Sequence, residues 1–361
     1  MPEQARLYPV NRDHLGALTT DVAIMQHAIG PMGDPAHGYC TDDVARALQV
    51  DLLHQREIGW DAVAGDAWRN VRFLDDAFDR ATGQFRNFRG MDGSWLGGVG
   101  SEDCQGRAML ALGTAIAASP DADMVELSWS LFSMALPRAI GLRAIRGQAS
   151  VVLSCDAVMG EASSEPVALA FRAVADGLAS AVRPRTASDW PWPEARLTYE
   201  NALPVRGLIV AGRQLGSERM IEDGLHLLDW LIDVQTPSGH LSPIGNGWWP
   251  RGGTRSTFDQ QPIEATALLL AAESAYVVTG DDKYRAAMER AYAWFLGEND
   301  VHVRMAVPER GACFDGLRPD GVNVNQGAES TLMWLIASEH MRAMRAPHLE
   351  QAGRLAVTAA Q

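Results

Sequence analysis

One local arrangement recurs along this chain: a polar, glycine-bearing loop closes on acidic or amide side chains and passes straight into a helix that is apolar nearly all round. The fullest copy is Phe258-Asp259-Gln260-Gln261-Pro262-Ile263-Glu264, which runs on through Ala265 to Ala272 and follows Asn246-Gly247-Trp248-Trp249-Pro250-Arg251-Gly252-Gly253-Thr254-Arg255. Pro262 suits a first helical turn, where its missing N–H costs nothing, and Asp259 is an acceptor able to cap the orphan amides. Other copies open at Thr41-Asp42-Asp43, Ser101-Glu102-Asp103, Thr198-Tyr199-Glu200-Asn201 and Asn323-Val324-Asn325-Gln326-Gly327-Ala328-Glu329. A degenerate copy without the acidic start lies around Arg143 to Met159. Spacings of roughly sixty residues are too long for one helix-turn-helix repeat and fit a helical hairpin plus a long loop.

Amphipathic helices alternate with these apolar ones. They read as Asp13 to Ala28, Asp61 to Phe78, Ala122 to Leu136, Pro166 to Val182, Glu218 to Val234 and Asp281 to Leu296. Gly33 to Cys40 reads as a Gly, Pro and His loop, and Gly83 to Gly98 as a short hairpin with an aromatic near its tip. Twelve helices in six hairpins, with no dividing linker, predict an all-α (α/α)6 barrel, a six-hairpin toroid. It is expected to be a single domain over residues 1–361, with a disordered tail from about residue 346. All inner helices would then start at one end, around one funnel.

A net charge of −14 argues against nucleic acid or an anionic membrane as the main partner. No amino-terminal run has the form of a secretion signal, and no apolar stretch reaches spanning length without interruption, so the sequence predicts a cytoplasmic protein. Cys40, Cys104, Cys155 and Cys313 lack CxxC spacing and read as free thiols; neither a metal nor a cofactor is expected.

Four segments carry a resemblance: Gly38-Tyr39-Cys40-Thr41-Asp42-Asp43, Leu197-Thr198-Tyr199-Glu200-Asn201, Phe258 to Ala265 and Asn323 to Thr331. Over nearly its whole length the chain resembles the six-hairpin, (α/α)6-barrel glycosidase-like superfamily. More narrowly it resembles a bacterial group often encoded with, or fused to, glycosyltransferases. That resemblance implies a carbohydrate substrate and association with a glycosyltransferase, with self-association left open. Two positions depart from the group's pattern: Val44 stands where Asn is usual, and Glu200 where Asp is.

Glycosidic hydrolysis needs one protonated carboxyl and one ionised carboxylate. Asp43, Asp103 and Glu200 rank first as catalytic residues, with Asp42, Glu102 and Asp259 behind them at the same helix mouths. Any single acid before a helix is more often an N-cap than a catalyst, but in the adjacent pairs one can cap while its neighbour points elsewhere. Glu264 and Glu329, read as lying a turn inside their helices, would be partners of Arg or Tyr. Trp95, Trp248 and Trp249 fit stacking on sugar C–H faces, as do Trp190 and Trp192, with loop packing the alternative. Tyr199, Arg251, Gln260, Gln261 and Gln326 complete the expected binding set. Two other functions fit the same barrel: sugar epimerisation, which calls for histidines that are scarce at these mouths, and non-catalytic carbohydrate binding beside a glycosyltransferase.

Overall fold

The computed structural model describes residues 6–162, 164–185 and 189–359, with side chains described as far as residue 346. Its inner ring is α2 (Thr41–Ile58), α4 (Glu102–Ala118), α6 (Ile145–Glu161), α8 (Ala202–Leu215), α10 (Pro262–Thr279) and α12 (Ala328–Ala359). Each packs on the next, and α12 packs back on α2, so the ring closes. Outside it, α3 (Ala64–Ala77), α5 (Ala122–Ala139), α7 (Glu165–Ala181), α9 (Glu218–Gln235) and α11 (Asp282–Phe295) each cover the inner helix before them. This is the predicted (α/α)6 barrel. Every residue of α10 from Pro262 to Leu269 is buried, which is why its sequence is apolar on all sides.

The sixth outer position departs from the prediction. In place of a helix from Asp13 to Ala28 there is a six-residue helix α1 (Asp13–Leu18), followed by strand β1 (Met25–Ile29). Thr19 Oγ1 donates to Leu15 O at 2.7 Å, and Thr20 Oγ1 accepts from the Val22 amide at 3.1 Å. Such local bonds satisfy the backbone in a non-helical form and end the helix early. The expected loop Gly33 to Cys40 belongs to strand β2 (Met32–Cys40), which pairs with β1 through Ile29 and Met32. Gly30, at φ 57°, and Pro31 form the two-residue turn, whose first place needs a glycine.

Strands β3 (Phe78–Asp79), β4 (Gln84–Arg89) and β5 (Trp95–Val99) extend this sheet, and β4 with β5 is the predicted hairpin. Three short antiparallel pairs tie down other loops: β6 (Arg196–Leu197) with β7 (Trp249–Pro250), β8 (Ala306–Val307) with β9 (Ala312–Cys313), and β10 (Gly316–Arg318) with β11 (Gly321–Asn323).

The degenerate repeat has a physical explanation. A Cβ on Gly106 would lie 2.7 Å from Gly147 O, and one on Gly147 2.7 Å from Glu102 O, so α4 and α6 meet backbone to backbone. Helix α6 has no acid of its own to receive the amides at its start; Glu102 Oε2 accepts from Arg143 and Ala144 N at 2.6 and 2.5 Å. The neighbouring helix supplies what the repeat lacks. No helix among the described residues is long and apolar enough to cross a membrane. Side chains beyond residue 346, where the sequence predicts a tail, lie outside the described residues.

Candidate active site

Two cavities lie within the ring. The upper one, about 560 Å³, is walled by Asp42, Asp43 and Arg46 of α2, by Gln261 before α10, and by Glu329 and Ser330 of α12. Strands and loops add His27, Asn87, Asp259, Asp315 and Asn325. The lower one, about 390 Å³, is lined by residues of all six inner helices, chiefly their middle and last turns, and by Glu200 just before α8, and Arg46 borders both. The inner helices therefore run parallel, with their starts at the upper end.

The acids at these starts are not N-caps of their own helices. Helix α2 begins after Cys40 without a side-chain cap, and α4 is capped by Ser101, whose Oγ accepts from Cys104 N at 3.1 Å. Asp259, expected as a cap, instead lies exposed at φ 54° with Oδ1 3.5 Å from Arg318. Gln261 takes the N-cap position of α10 without a side-chain bond.

Released from capping, the acids gather around two arginines on the inner helices. Arg107 of α4 bridges Asp42 Oδ2 at 3.0 Å and Glu200 Oε2 at 2.7 Å. Arg46 of α2 bridges Asp43 Oδ1 at 3.1 Å and Glu329 Oε2 at 2.9 Å, both through Nη1. Asp103 is joined to this network by Tyr199, whose hydroxyl donates to Asp103 Oδ2 at 2.5 Å. Glu200 sits at φ 47°, a strained backbone position for a residue other than glycine. The Glu264 carboxylate holds it there by accepting from the Glu200 amide and from Asn201 Nδ2 at 3.1 Å.

Burial pushes the Asp43 carboxyl up to about 7, with Arg46 opposing and Glu329 adding to the rise. Burial would also raise Glu200, but Arg107 and Arg46 outweigh it and hold that carboxyl below its ordinary value. Glu264 is raised by burial to about 7 even though it accepts from the Glu200 and Asn201 amides. Asp42 Oδ1, Arg46 Nη2, Arg107 Nε and Gln326 Oε1 are buried without a hydrogen-bond partner. Of these, Asp42 and Arg46 line the upper cavity, and buried polar atoms left open at a cavity wall are places where a ligand's hydroxyls can be received.

Other expected residues have different surroundings. Glu102 is engaged at the start of α6. Gln260 is fully buried, accepting from Trp294 Nε1 at 2.9 Å and donating to Thr257 O at 2.8 Å. Trp95 packs edge-on against Phe73 at 5.4 Å. Trp249 stacks on Trp230 of α9 and meets Trp190 edge-on at 5.1 Å, and Trp192 is fully buried. Among the loop tryptophans named from the sequence, Trp248 is the exposed one. Arg255 donates to Val234 O at 2.9 Å and to Ser242, and Arg251 lies exposed beside β7.

Sequence reasoning passed over Arg46, Arg107 and His27; Glu329, expected as a partner of Arg or Tyr, does pair with Arg46. Helix α12 begins at Ala328, so Glu329 is in its first turn and not a turn inside. Arg46 stands three residues after Asp43 and Arg107 four after Asp103, a spacing that puts each pair on one helix face and could have signalled them. The four cysteines are buried free thiols, and among the described residues no three potential metal ligands converge.

No protein-family model matches the chain, and no curated protein sequence matches it. Solved structures do. Cellobiose 2-epimerase from Spirochaeta thermophila superposes with a TM-score of 0.70 at 14% identity, covering 91% of this chain and 93% of its own. A D-mannose isomerase superposes with a TM-score of 0.66 at 10% identity, covering 92% and 96%. An α-1,6-mannanase of Salegentibacter superposes with a TM-score of 0.58 at 10% identity, covering 94% and 95%. That mannanase is an inactive variant, with two adjacent aspartates changed to asparagine, bound to α-1,6-mannotriose. In fold, the chain is a six-hairpin (α/α)6 barrel, as these structures are.

Proposed function

We propose that the protein is a glycoside hydrolase acting on an oligosaccharide or a polysaccharide end, with Asp43 as general acid and Glu329 as its carboxylate partner. One observation carries this reading. Both side chains line the upper cavity and share a single nitrogen of Arg46, at 3.1 and 2.9 Å. The two oxygens that share it are thus no more than about 6 Å apart, short of the roughly 6.5–9.5 Å of an inverting pair.

Asp43, raised to about 7, keeps a proton available at neutral pH for the leaving oxygen. Glu329, whose side chain is 41% exposed, attacks the anomeric carbon from the cavity. Water then releases the sugar, with Asp43 taking its proton back. Beneath them the network of Asp42, Arg107, Glu200 and Asp103 fixes the electrostatic field, and Asp42 Oδ1, at the wall of the upper cavity, receives a sugar hydroxyl. The inactive mannanase variant supports an adjacent pair of aspartates, here Asp42-Asp43, as part of such a site.

Epimerisation is the second reading, and it rests on His27, which lines the same cavity edge-on to His37 with ring centroids 4.6 Å apart. An NMR time course in D2O, with mannose oligosaccharides and cellobiose as probes, tests both. Hydrolysis gives new reducing ends, first in the anomeric form of the substrate. Deuterium entering beside the carbonyl without new reducing ends would make the protein an epimerase. Binding with neither change would favour the non-catalytic partner of a glycosyltransferase.

A further inference from the structure

We propose that the lower cavity is a second binding site, for a small amphipathic monoanion: a carboxylate or sulfonate carrying a hydrocarbon or aryl tail. Its volume, about 390 Å³, falls in the size range of small-molecule sites. Leu53, Leu110, Leu203, Leu270 and Ile336 give it a continuous apolar wall.

Arg206, midway along α8, supplies the polar end. It borders this cavity, its Nε is buried without a partner, and among the described residues its guanidinium makes no hydrogen bond or ion pair. Burial lowers its pKa, with Glu273, Asp156 and Glu200 opposing only from a distance. Of the cavity's other charges among the described residues, all but Arg56 are paired. Arg213 pairs with Asp156 at 2.9 Å, His340 meets Glu273 at 2.7 Å, Arg46 holds Asp43, and Arg107 holds Glu200, which itself borders this cavity.

Arg206 is part-buried and, among the described residues, pairs directly with no carboxylate, which is costly, and a ligand carboxylate or sulfonate restores the balance through two parallel N–H bonds. The apolar wall leaves the tail of that ligand a dry surface to cover. Arg56 and Arg213, on the last turns of α2 and α8, stand at the cavity's far rim and draw an anion in. Arg206 and the apolar wall border the lower cavity alone, so the site stands apart from the hydrolase reading, although Arg46 borders both cavities.

Calorimetric titration and thermal shift with octanoate, octan-1-ol and acetate test the proposal. Octanoate should bind and raise Tm, and the other two should bind at least about tenfold more weakly, since one lacks the charge and the other the tail. Arg206→Met should lower octanoate affinity by at least about tenfold and leave octanol unchanged, while Arg206→Lys keeps part of it. Thr114→Phe, on the α4 wall of the cavity, should also block octanoate and serves if the arginine variants fail to fold. Asp43→Asn should leave octanoate affinity alone. Absence of binding to the wild type, equal binding of acetate, binding unmoved by both Arg206→Met and Thr114→Phe, or loss in Asp43→Asn would each overturn the site.

Discussion

Asp43 and Asp51 lie two turns apart on α2, and burial pushes both carboxyls up to about 7, yet the two faces of the helix make different use of them. Asp51 faces outward. Its Oδ1 accepts from Arg12 at 2.6 Å and its Oδ2 from Asn70 of α3 at 2.8 Å, so both oxygens are engaged and neither cavity reaches it. Asp43 faces inward, with one oxygen on Arg46 and the carboxyl bordering the upper cavity. A displaced titration thus marks burial; an open cavity beside it is what marks a group able to react.

The sharpest way to break this contrast is to exchange the outcomes at the two positions. Asp43→Asn, nearly isosteric, should lower hydrolysis by about 10²–10⁴-fold, because an amide cannot give up the acid's proton. Its urea midpoint should move little. Asp51→Ala should do the reverse, destabilising by about 3 kcal/mol while turnover per folded molecule is kept. The figure is at the low end for a broken buried pair because Asp66 still holds Arg12 at 2.8 Å. If Asp51→Ala kills turnover in a fully folded protein, or Asp43→Asn leaves it intact, the two faces do not differ in the way described.

A pH series separates them further. Asp43, Asp51 and Glu264 are all raised in the folded protein, so it keeps protons that the unfolded chain has already released between about pH 4 and 7. The stability they contribute is complete below the unfolded pKa and is lost as pH rises through about 7. Hydrolysis should fall over the same upper range as Asp43 loses its proton. Asp51→Asn should flatten the dependence of the urea midpoint on pH between 5 and 8 and leave the activity limb where it is. An activity limb that shifts with Asp51 would assign the titration to the wrong face.

Sequence alone carried the hairpin order, because apolar periodicity and loop composition are local properties. It failed where local side-chain bonds competed with the helix, at Thr19 and Thr20, and where a Gly30-Pro31 turn made a strand pair out of an expected loop. The site was legible as a set of acids at helix starts, and less so as pairs. Asp42 with Arg107, Arg107 with Glu200, and Glu102 with the start of α6 are contacts between different hairpins, and only closure of the ring creates them. Loop tryptophans posed the opposite difficulty. Nothing in Trp190-Pro191-Trp192-Pro193 says that its indoles turn inward onto Trp230 and the core.

The smallest expected effect belongs to the adjacent pair Trp248 and Trp249, where the inward and outward contrast is repeated on a single loop. Trp249 packs between Trp190 and Trp230, whereas Trp248 is 39% exposed, with Arg196 over its ring at 5.2 Å and its backbone at φ 66°. It lies beside Asn246 and Asp259 at the rim of the upper cavity without lining it, so a sugar stacked there is an outer one. Trp248→Asn keeps a residue that tolerates this backbone and removes the indole. Stacking of this kind contributes about 0.5–1.5 kcal/mol, so KM for a tetrasaccharide should rise by roughly two- to tenfold with kcat unchanged. A disaccharide, too short to reach the rim, should show no change, and folding stability should stay within about 0.5 kcal/mol. Trp249→Ala should show the other pattern, a lower urea midpoint with KM unmoved for either length. Should Trp248→Asn weaken disaccharide and tetrasaccharide equally, the indole serves the reacting sugar, and the outer subsite has to be sought elsewhere on the rim.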